Sequence, residues 1–360
     1  MWRALGFGLL CACGDNLAPT IHVVAEGARW MAVRSAPDAA WERFDGDDVR
    51  FDARGVFDVA IVCRDDVGAG WSIRATADDA VRFDEGFCRR RGGVQPRFDI
   101  TGVANVIYIG ASASYLPEIV GQDIAPGTYD VIALALSADP PQRIERVQVL
   151  RDVVVDGVTA IPIDIARAGL PPAAATLTVD GAAPDYASIT GVTANDTFFN
   201  LSGRGHVVLP VELTRASDRQ VARVYRGEAW ADVPVRAGDN EIALPPEPVD
   251  ATFAPAPGAA VTWRSPIAWG AVTVGIAQVT TTGTGLPSWR VVAYPGAFEA
   301  GDGGTSWSVA LPVPDLAGWQ AGWTPDLTRE HVVYATWERA RIDGGRSGVA
   351  KSERRDSTSP

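Results

Sequence analysis

The sequence of 360 residues lacks any long hydrophobic run that is free of charged and turn-forming residues. A helix that spans a bilayer needs about 20 consecutive apolar residues. No segment approaches that length, and no stretch has the pattern of a helix longer than two turns. The sequence therefore predicts no membrane-spanning helix and a fold with little helix of any kind.

Basic residues are also scarce. Against 44 Asp and Glu there are 32 Lys and Arg, the only lysine is Lys351, and the formal net charge is −12. An acidic surface repels nucleic-acid phosphates, and no basic stripe with interleaved aromatic residues offsets it. We interpret the short run Arg89–Arg91 as a solvated loop. No nucleic-acid partner is expected.

Motifs of catalysis are missing as well. The sequence contains no Gly-x-Ser-x-Gly elbow, no His-Glu-x-x-His, no phosphate-binding loop and no complete calcium loop. Only three histidines occur, far apart in the chain, and we predict that they are structural or exposed: His22, His206 and His331. The sequence thus predicts no catalytic residue, no cofactor and no metal, which leaves a secreted hydrolase as the least favoured alternative.

Two clusters of carboxylates have the oxygen ligands that Ca²⁺ prefers. One comprises Asp45, Asp47 and Asp48, and the other comprises Asp65 and Asp66. Acidic residues are also the ordinary occupants of turns between strands. We favour turns at both places.

The first fifteen residues differ from the rest of the chain. Arg3 precedes an apolar run from Ala4 to Ala12, and a small residue stands before Cys13. A basic start, a short apolar stretch and a small-residue cleavage site are typical of a secretory signal. The segment Leu10–Cys13 resembles the lipobox of bacterial lipoproteins. The alternative is that residues 4–12 form a buried opening strand of a cytoplasmic domain.

The lipobox resemblance implies a location. Residues 1–12 would be a signal peptide, Cys13 would carry lipid as the first mature residue, and residues 13–20 would link it to the folded part. Gly14 resembles the pattern that directs lipoproteins to an outer membrane. The bilayer is then a partner, bound through lipid chains that each contribute about 0.8 kcal/mol per buried methylene.

Two cysteines remain after the signal, Cys63 and Cys88. In an exported chain an even pair favours a disulfide, which would close a loop of about 26 residues and contribute about 3 kcal/mol. The alternatives are two buried free thiols or half of a metal site. The spacing argues against a metal, because neither cysteine has a Cys-x-x-Cys or nearby His partner.

Short apolar runs with period-two alternation, bounded by Gly, Pro, Asp and Asn, cover the chain from Ile21 onward. They predict an all-β fold of several tandem antiparallel β-sandwich domains, of immunoglobulin-like or transthyretin-like type. The run Phe57–Cys63 is nearly continuous, as in a central strand covered on both faces. Composition places the domains at residues 21–96, 97–169, 170–248 and 249–343, followed by a disordered tail at 344–360.

The second of these domains contains Ala125–Leu136, in which a Pro-Gly turn precedes Tyr129 and a run with both faces apolar. This Pro-Gly-x-Tyr-x-Val pattern resembles carboxypeptidase-regulatory-like and transthyretin-like β-sandwiches. The resemblance implies that Tyr129 packs under the turn while the following residues cross the core. It supports a fold and not an activity.

Tryptophan is concentrated at the end of the chain, where seven of the twelve occur after residue 260. Trp263, Trp289 and Trp307 lie in predicted strands and are expected in the core. Trp319 and Trp323 stand in a stretch flanked by Gly and Pro, where exposed indoles form stacking platforms for sugars or anchors for proteins. These two are the candidate ligand-binding residues.

Together these features predict a non-enzymatic, lipid-anchored cell-envelope protein with a structural or binding role. The chain resembles the predicted surface lipoproteins of Gram-negative bacteria. The expected partner is a polysaccharide or an envelope protein, and the leading alternative is a carbohydrate-binding module of the cell surface.

Overall fold

The computed structural model describes residues 18–25, 28–63, 71–76, 93–110, 112–115, 124–201, 205–256, 258–265, 267–280, 283–300, 306–310, 315–319, 326–340 and 346–355. Within these ranges nearly all regular structure is strand, so the predicted all-β fold is confirmed. The one α-helix among them is the single turn α1 (Ile165–Ala168), whose first turn is capped by the Asp164 carboxylate.

The strands of the first half are numbered in chain order. Up to residue 96 they are β1 (Thr20–Val24), β2 (Ala28–Arg34), β3 (Glu42–Asp45), β4 (Asp48–Asp52), β5 (Phe57–Cys63) and β6 (Trp71–Ala75). Between residues 97 and 169 they are β7 (Arg97–Thr101), β8 (Val106–Ile109), β9 (Ser112–Tyr115), β10 (Gly127–Leu136), β11 (Ile144–Val155) and β12 (Ala160–Asp164).

The second half continues the numbering. Between residues 170 and 248 the strands are β13 (Ala173–Val179), β14 (Tyr186–Val192), β15 (Phe198–Asn200), β16 (Val207–Val208), β17 (Arg219–Arg226), β18 (Ala229–Pro234) and β19 (Gly238–Ile242). After them come β20 (Val249–Ala256), β21 (Gly258–Arg264), β22 (Ala271–Thr280), β23 (Gly283–Ala293), β24 (Glu299–Ala300), β25 (Ser306–Ala310), β26 (His331–Ala340) and β27 (Arg346–Arg355). Two 3₁₀ turns occupy Val211–Leu213 and Pro295–Ala297.

One sheet of twelve strands dominates the structure, in the order β15-β14-β17-β18-β27-β26-β22-β23-β6-β5-β2-β3. The smaller sheets are β11-β10-β8-β9, β20-β21-β25-β24, β16-β13-β19, β1-β4 and β7-β12. Pairing is antiparallel except for β6 with β23, β7 with β12 and β13 with β19. The large sheet therefore joins strands from three of the four predicted domains, an arrangement that the composition-based boundaries did not anticipate.

Strand β5 shows how the pattern of residues creates two cores. All seven of its residues are buried. Phe57, Val59 and Ile61 point to one face, against β1 and β4, while Ala60 and Val62 point to the other. Successive side chains of a strand alternate between faces, so a continuous apolar run requires a cover on both sides. The predicted central strand is confirmed.

One face of the large sheet is covered by two groups of smaller sheets, whereas β1 and β4 cover the opposite face at β5. On one face the sheet β20-β21-β25-β24 packs over β22 and β26, where the rings of Trp263 and Trp337 meet at 5.9 Å. On the same face, at β17 and β18, the cover is the sheet of β8, β10 and β11 together with β13 and β19. Trp263 is buried as predicted, whereas the side chains of Trp289 and Trp307 lie outside the described residues.

Strand β10 follows its predicted environment. Val131 and Ala133 face one core, and Ile132 and Leu134 face another, so both faces of the strand are covered. At its start the hydroxyl group of Tyr129 donates to the carbonyl of Ala125 at 2.9 Å. The ring thus lies against the Pro-Gly turn, as the resemblance implied.

The predicted disordered tail is wrong for residues 346–355, which form β27. This strand lies inside the large sheet and pairs with β26 over ten residues and with β18 over four. Backbone pairing holds this strand, with β26 along its whole length and with β18 at residues 346–349. It can therefore be polar, because only Ser347, Gly348 and Val349 are buried. Residues 356–360 lie outside the described ranges.

Candidate functional site

The predicted ligand-binding residue Trp319 lies in a turn beside the end of the large sheet. Its backbone N–H donates to the carbonyl of Leu316 at 3.1 Å. The indole is partly buried and meets the ring of Trp30 edge-on, with centroids 6.1 Å apart and an interplanar angle of 79°. Trp319 is therefore packed on a core tryptophan instead of standing free. Trp323 lies outside the described residues.

Arg43, on the outermost strand β3, lies beside this pair of tryptophans. Its guanidinium carbon lies 4.7 Å from the ring centroid of Trp30. The same guanidinium donates to Asp45 at 3.0 and 2.7 Å, which fixes its orientation. A Cβ atom at Gly318 would come within 3.0 Å of the Arg43 guanidinium, so the turn that carries Trp319 lies directly beside this side chain.

A second contact between a guanidinium group and an indole ring lies further along β2. Arg34 on β2 places its guanidinium carbon 5.0 Å from the ring centroid of Trp41, which is partly buried. Behind it, Arg34 donates to the buried carboxylate of Asp58 at 3.0 and 2.6 Å, and Arg74 lies 3.8 Å from the other oxygen. Burial raises the pKa of Asp58, although the guanidinium groups of Arg74 and Arg34 oppose that shift.

We refer to these five residues together as the Trp319 corner: Trp30, Trp41, Trp319, Arg34 and Arg43. It combines aromatic surface with two guanidinium groups held in place by carboxylates, at the β3 end of the large sheet. Aromatic rings stack on the apolar faces of sugars, while planar guanidinium groups donate several hydrogen bonds in a fixed direction. The corner therefore places partly exposed aromatic rings beside hydrogen-bond donors.

Sequence reasoning identified Trp319 but missed its neighbours. Alternation placed Trp30 in a strand, yet it did not show that a turn far along the chain would pack on it. The spacing of Arg34, Trp41 and Arg43 does carry a signal, because β2 and β3 form a hairpin in which Arg43 lies opposite Ala32. Long-range partners have no such local signature.

The predicted disulfide has one described member. Cys63 ends β5 and is buried. Cys88 lies outside the described residues, as does the predicted lipidation site Cys13. The disulfide and the lipid anchor therefore stay predictions.

The three histidines occupy unrelated positions. His22 is exposed and lies 3.0 Å from a carboxylate oxygen of Asp48. His206 is partly buried, and desolvation lowers its pKa. His331 is buried, with Nδ1 2.8 Å from the carbonyl oxygen of Arg329.

The first acidic cluster contributes to turns and ion pairs. Asp45 accepts from Arg43, Asp48 lies beside His22, and the carbonyl of Asp47 accepts from the N–H of Ala25. Asp65 and Asp66 lie outside the described residues. In the part of the chain that the structure describes, no group of three His, Cys, Asp or Glu side chains is arranged to hold a metal ion.

The densest polar cluster joins the β10–β11 hairpin to two loops beside the large sheet. The partly buried Arg151 donates to Asp130 at 2.7 Å, to Asp218 at 3.0 and 2.5 Å, and to the carbonyl of Leu213. Asn195 donates to Asp130 and Asp152 at 2.9 and 2.8 Å. We call Asp130, Arg151, Asp152, Asn195 and Asp218 the polar junction.

Hydrogen bonds favour the ionised form of Asp130 at the polar junction. Burial alone would raise the pKa of Asp130, but the N–H of Asp152 and the side chains of Arg151 and Asn195 donate to its carboxylate and lower its pKa. Asp218 also accepts from the backbone N–H groups of Ala194 and Arg215, at 3.0 and 2.8 Å. Because these donors come from separate loops, the junction holds the two sheets in one arrangement.

Comparison with known proteins adds no family: no family model matches the chain, and no curated protein is significantly similar to it. Within the described ranges, none of the helices has the length and apolar character needed to cross a membrane.

Proposed function

We propose that this chain is a lipid-anchored protein of the bacterial cell envelope that binds surface polysaccharide through the Trp319 corner. The observation that carries the proposal is the packing of Trp319 on Trp30 with Arg43 at its side. Two aromatic side chains of the corner remain partly exposed next to two oriented guanidinium groups. That combination is suited to a ligand with apolar faces and many hydroxyl groups.

Rigidity of the corner supports binding. Trp30 belongs to the core, Arg43 is held by Asp45, and Arg34 is held by the buried Asp58. Side chains that are already ordered lose little conformational entropy when a ligand arrives. The corner therefore has the preorganisation that a weak, multi-contact sugar ligand requires.

The anchor in this proposal comes from the sequence. The segment Leu10–Cys13 resembles a lipobox, and lipid on Cys13 would retain the folded part at a membrane surface. An acidic protein held there would encounter polysaccharide at high local concentration. Binding of modest affinity would then suffice for function.

Affinity electrophoresis tests the binding. The protein without residues 1–13 is run through gels that contain soluble neutral or anionic polysaccharides, beside Trp319→Ala and the control Val158→Ala. We expect at least one polymer to retard the wild type and the control, and the Trp319 variant to bind about tenfold more weakly, because an aromatic contact contributes about 1 kcal/mol beyond its buried area.

Two results would contradict the proposal. One is a wild-type protein that no polysaccharide retards, and the other is a Trp319→Ala variant that is retarded as strongly as the wild type. Circular dichroism confirms that each variant is folded, which separates loss of binding from loss of structure. Val158 is a suitable control because its side chain is exposed in the loop between β11 and β12.

A further inference from the structure

At strands β14, β17 and β18, the face of the large sheet that points away from the smaller sheets carries three aromatic residues. Tyr186 pairs with Tyr225, and Tyr225 pairs with Trp230, so the three side chains lie on neighbouring strands about 4.8 Å apart. We call them the Tyr186 row. It is separate in the sheet order from the Trp319 corner, which lies at the β3 end.

Alternation along each strand places this row away from the core. On β17 the residues Ala222 and Val224 are buried against the smaller sheets, and on β18 the same is true of Ala231 and Val233. The intervening residues point the other way. Tyr186 is 59% exposed, and its ring lies 5.9 Å from that of Tyr225 at an angle of 57°. At this angle the two rings are not stacked face to face.

The indole of Trp230 packs closely on the neighbouring strand β27. Trp230 pairs with Gly348 on β27, and a Cβ atom at Gly348 would come within 2.7 Å of the indole. The absence of a side chain at residue 348 therefore gives Trp230 room to lie across the neighbouring strand. Trp230 itself is only 5% exposed, so the aromatic surface open to a ligand is that of Tyr186 and the partly exposed Tyr225.

Charged groups beside the row balance one another. Arg223 donates to both oxygens of Asp232 at 2.6 Å each, and its guanidinium carbon lies 5.1 Å from the Trp230 ring. Arg346 lies 3.5 Å from Asp232 and 3.6 Å from Glu338. Two arginines thus face two carboxylates. An uncharged ligand meets hydrogen-bonding groups there without the repulsion that an anionic polymer would meet from a chain of net charge −12.

We infer that the Tyr186 row is a second polysaccharide site, specific for uncharged glycans, in which sugar rings stack on Tyr186 and Tyr225 and hydroxyl groups bond to Arg346. The inference shares its ligand class with the proposed function but depends on different residues. Two sites on one chain would raise the overall affinity for a long polymer, because the second contact becomes intramolecular.

The experiment compares variants against defined polymers. Soluble starch, laminarin, mannan and xyloglucan serve as uncharged probes, with alginate and pectate as anionic ones, in affinity gels and in calorimetric titration. The variants are Tyr186→Ala, Tyr186→Phe and Tyr225→Ala, with Trp319→Ala and Val158→Ala alongside. Tyr186 is mostly exposed, so its replacement leaves the core intact.

The inference predicts that at least one uncharged polymer binds about tenfold more weakly to Tyr186→Ala, while Tyr186→Phe keeps the stacking ring and retains most of the affinity. It is overturned if no uncharged polymer binds, if only anionic polymers bind, or if Tyr186→Ala and Tyr225→Ala bind as the wild type does. Loss of binding in Trp319→Ala alone would support the corner and reject the row. Loss in the tyrosine variants alone would do the reverse.

Discussion

The guanidinium group of Arg151 donates to both carboxylate oxygens of Asp218, at 3.0 and 2.5 Å. Arg151 belongs to β11 and Asp218 to the loop before β17, so this contact fastens one sheet to a loop of another. Both carboxylates that face Arg151, Asp130 and Asp218, have fully buried side chains. A buried charge that loses its partner is strongly destabilising.

Replacement of Arg151 by Met tests the junction. We expect the variant to lose about 3 kcal/mol of unfolding free energy, because two buried carboxylates lose their cation. Arg215→Met is the matched control: Arg215 pairs with Asp152 at 2.7 Å, but both side chains are exposed to solvent, and the expected loss is much smaller. Urea unfolding measures both. Equal losses would show that Arg151 is no more than a surface ion pair.

The same junction predicts a dependence of stability on pH. The pKa of Asp130 is lowered in the folded protein, so its ionised form is favoured there. The resulting stability is present above the unfolded pKa of about 3.9 and is lost as the pH falls through the folded pKa. Urea midpoints between pH 7 and pH 3 should therefore fall more steeply for the wild type than for Asp130→Asn. Parallel curves would contradict this assignment.

Removal of β27 tests whether the protein needs this strand in order to fold. A chain ending at residue 345 loses a strand that lies between β18 and β26 in the large sheet. We expect it not to fold, since the backbone groups of both neighbours and the buried Val349 lose their partners. A chain ending at residue 355 keeps the strand and should give the circular dichroism spectrum of the full chain. A folded 345-residue chain would show that β27 is dispensable.

The disulfide prediction is checked by peptide mapping without reduction. We expect Cys63 and Cys88 in one cross-linked peptide from protein exported to an oxidising compartment. Reduction should lower the unfolding free energy by about 3 kcal/mol, the value for a closed loop of roughly this length. Two separately alkylated thiol peptides would refute the pairing.

Strand positions could be predicted because alternation and turn residues are local. The runs at Phe57–Cys63 and Gly127–Leu136 are strands with both faces covered, as their composition indicated. Strand order could not be predicted. The parallel pairing of β6 with β23, for example, joins Ile73 to Val292 across most of the chain. Backbone hydrogen bonds between distant strands need no particular side chains, so this pairing cannot be predicted from alternation or composition.

The candidate site shows the same limit. The Gly- and Pro-rich surroundings of Trp319 indicated a turn, but its partial burial depends on Trp30, which lies nearly three hundred residues earlier. The Tyr186 row was missed because Tyr186, Tyr225 and Trp230 are each ordinary strand residues. Only the registers of β14, β17 and β18 align them. The polar composition of residues 346–355 led to the wrong prediction of a disordered tail. Backbone pairing within a sheet can hold a strand that has few apolar side chains, and this pairing cannot be read from composition.

The most direct test of the proposed function is fractionation of a Gram-negative host that expresses the wild type or Cys13→Ala during labelling with radioactive palmitate. The proposal predicts that the wild type is labelled and found in the outer-membrane fraction, whereas the variant is unlabelled and absent from that fraction. An unlabelled wild-type protein in the cytosol would contradict the lipid anchor. The cell-envelope location and the oxidised cysteine pair would then lose their basis.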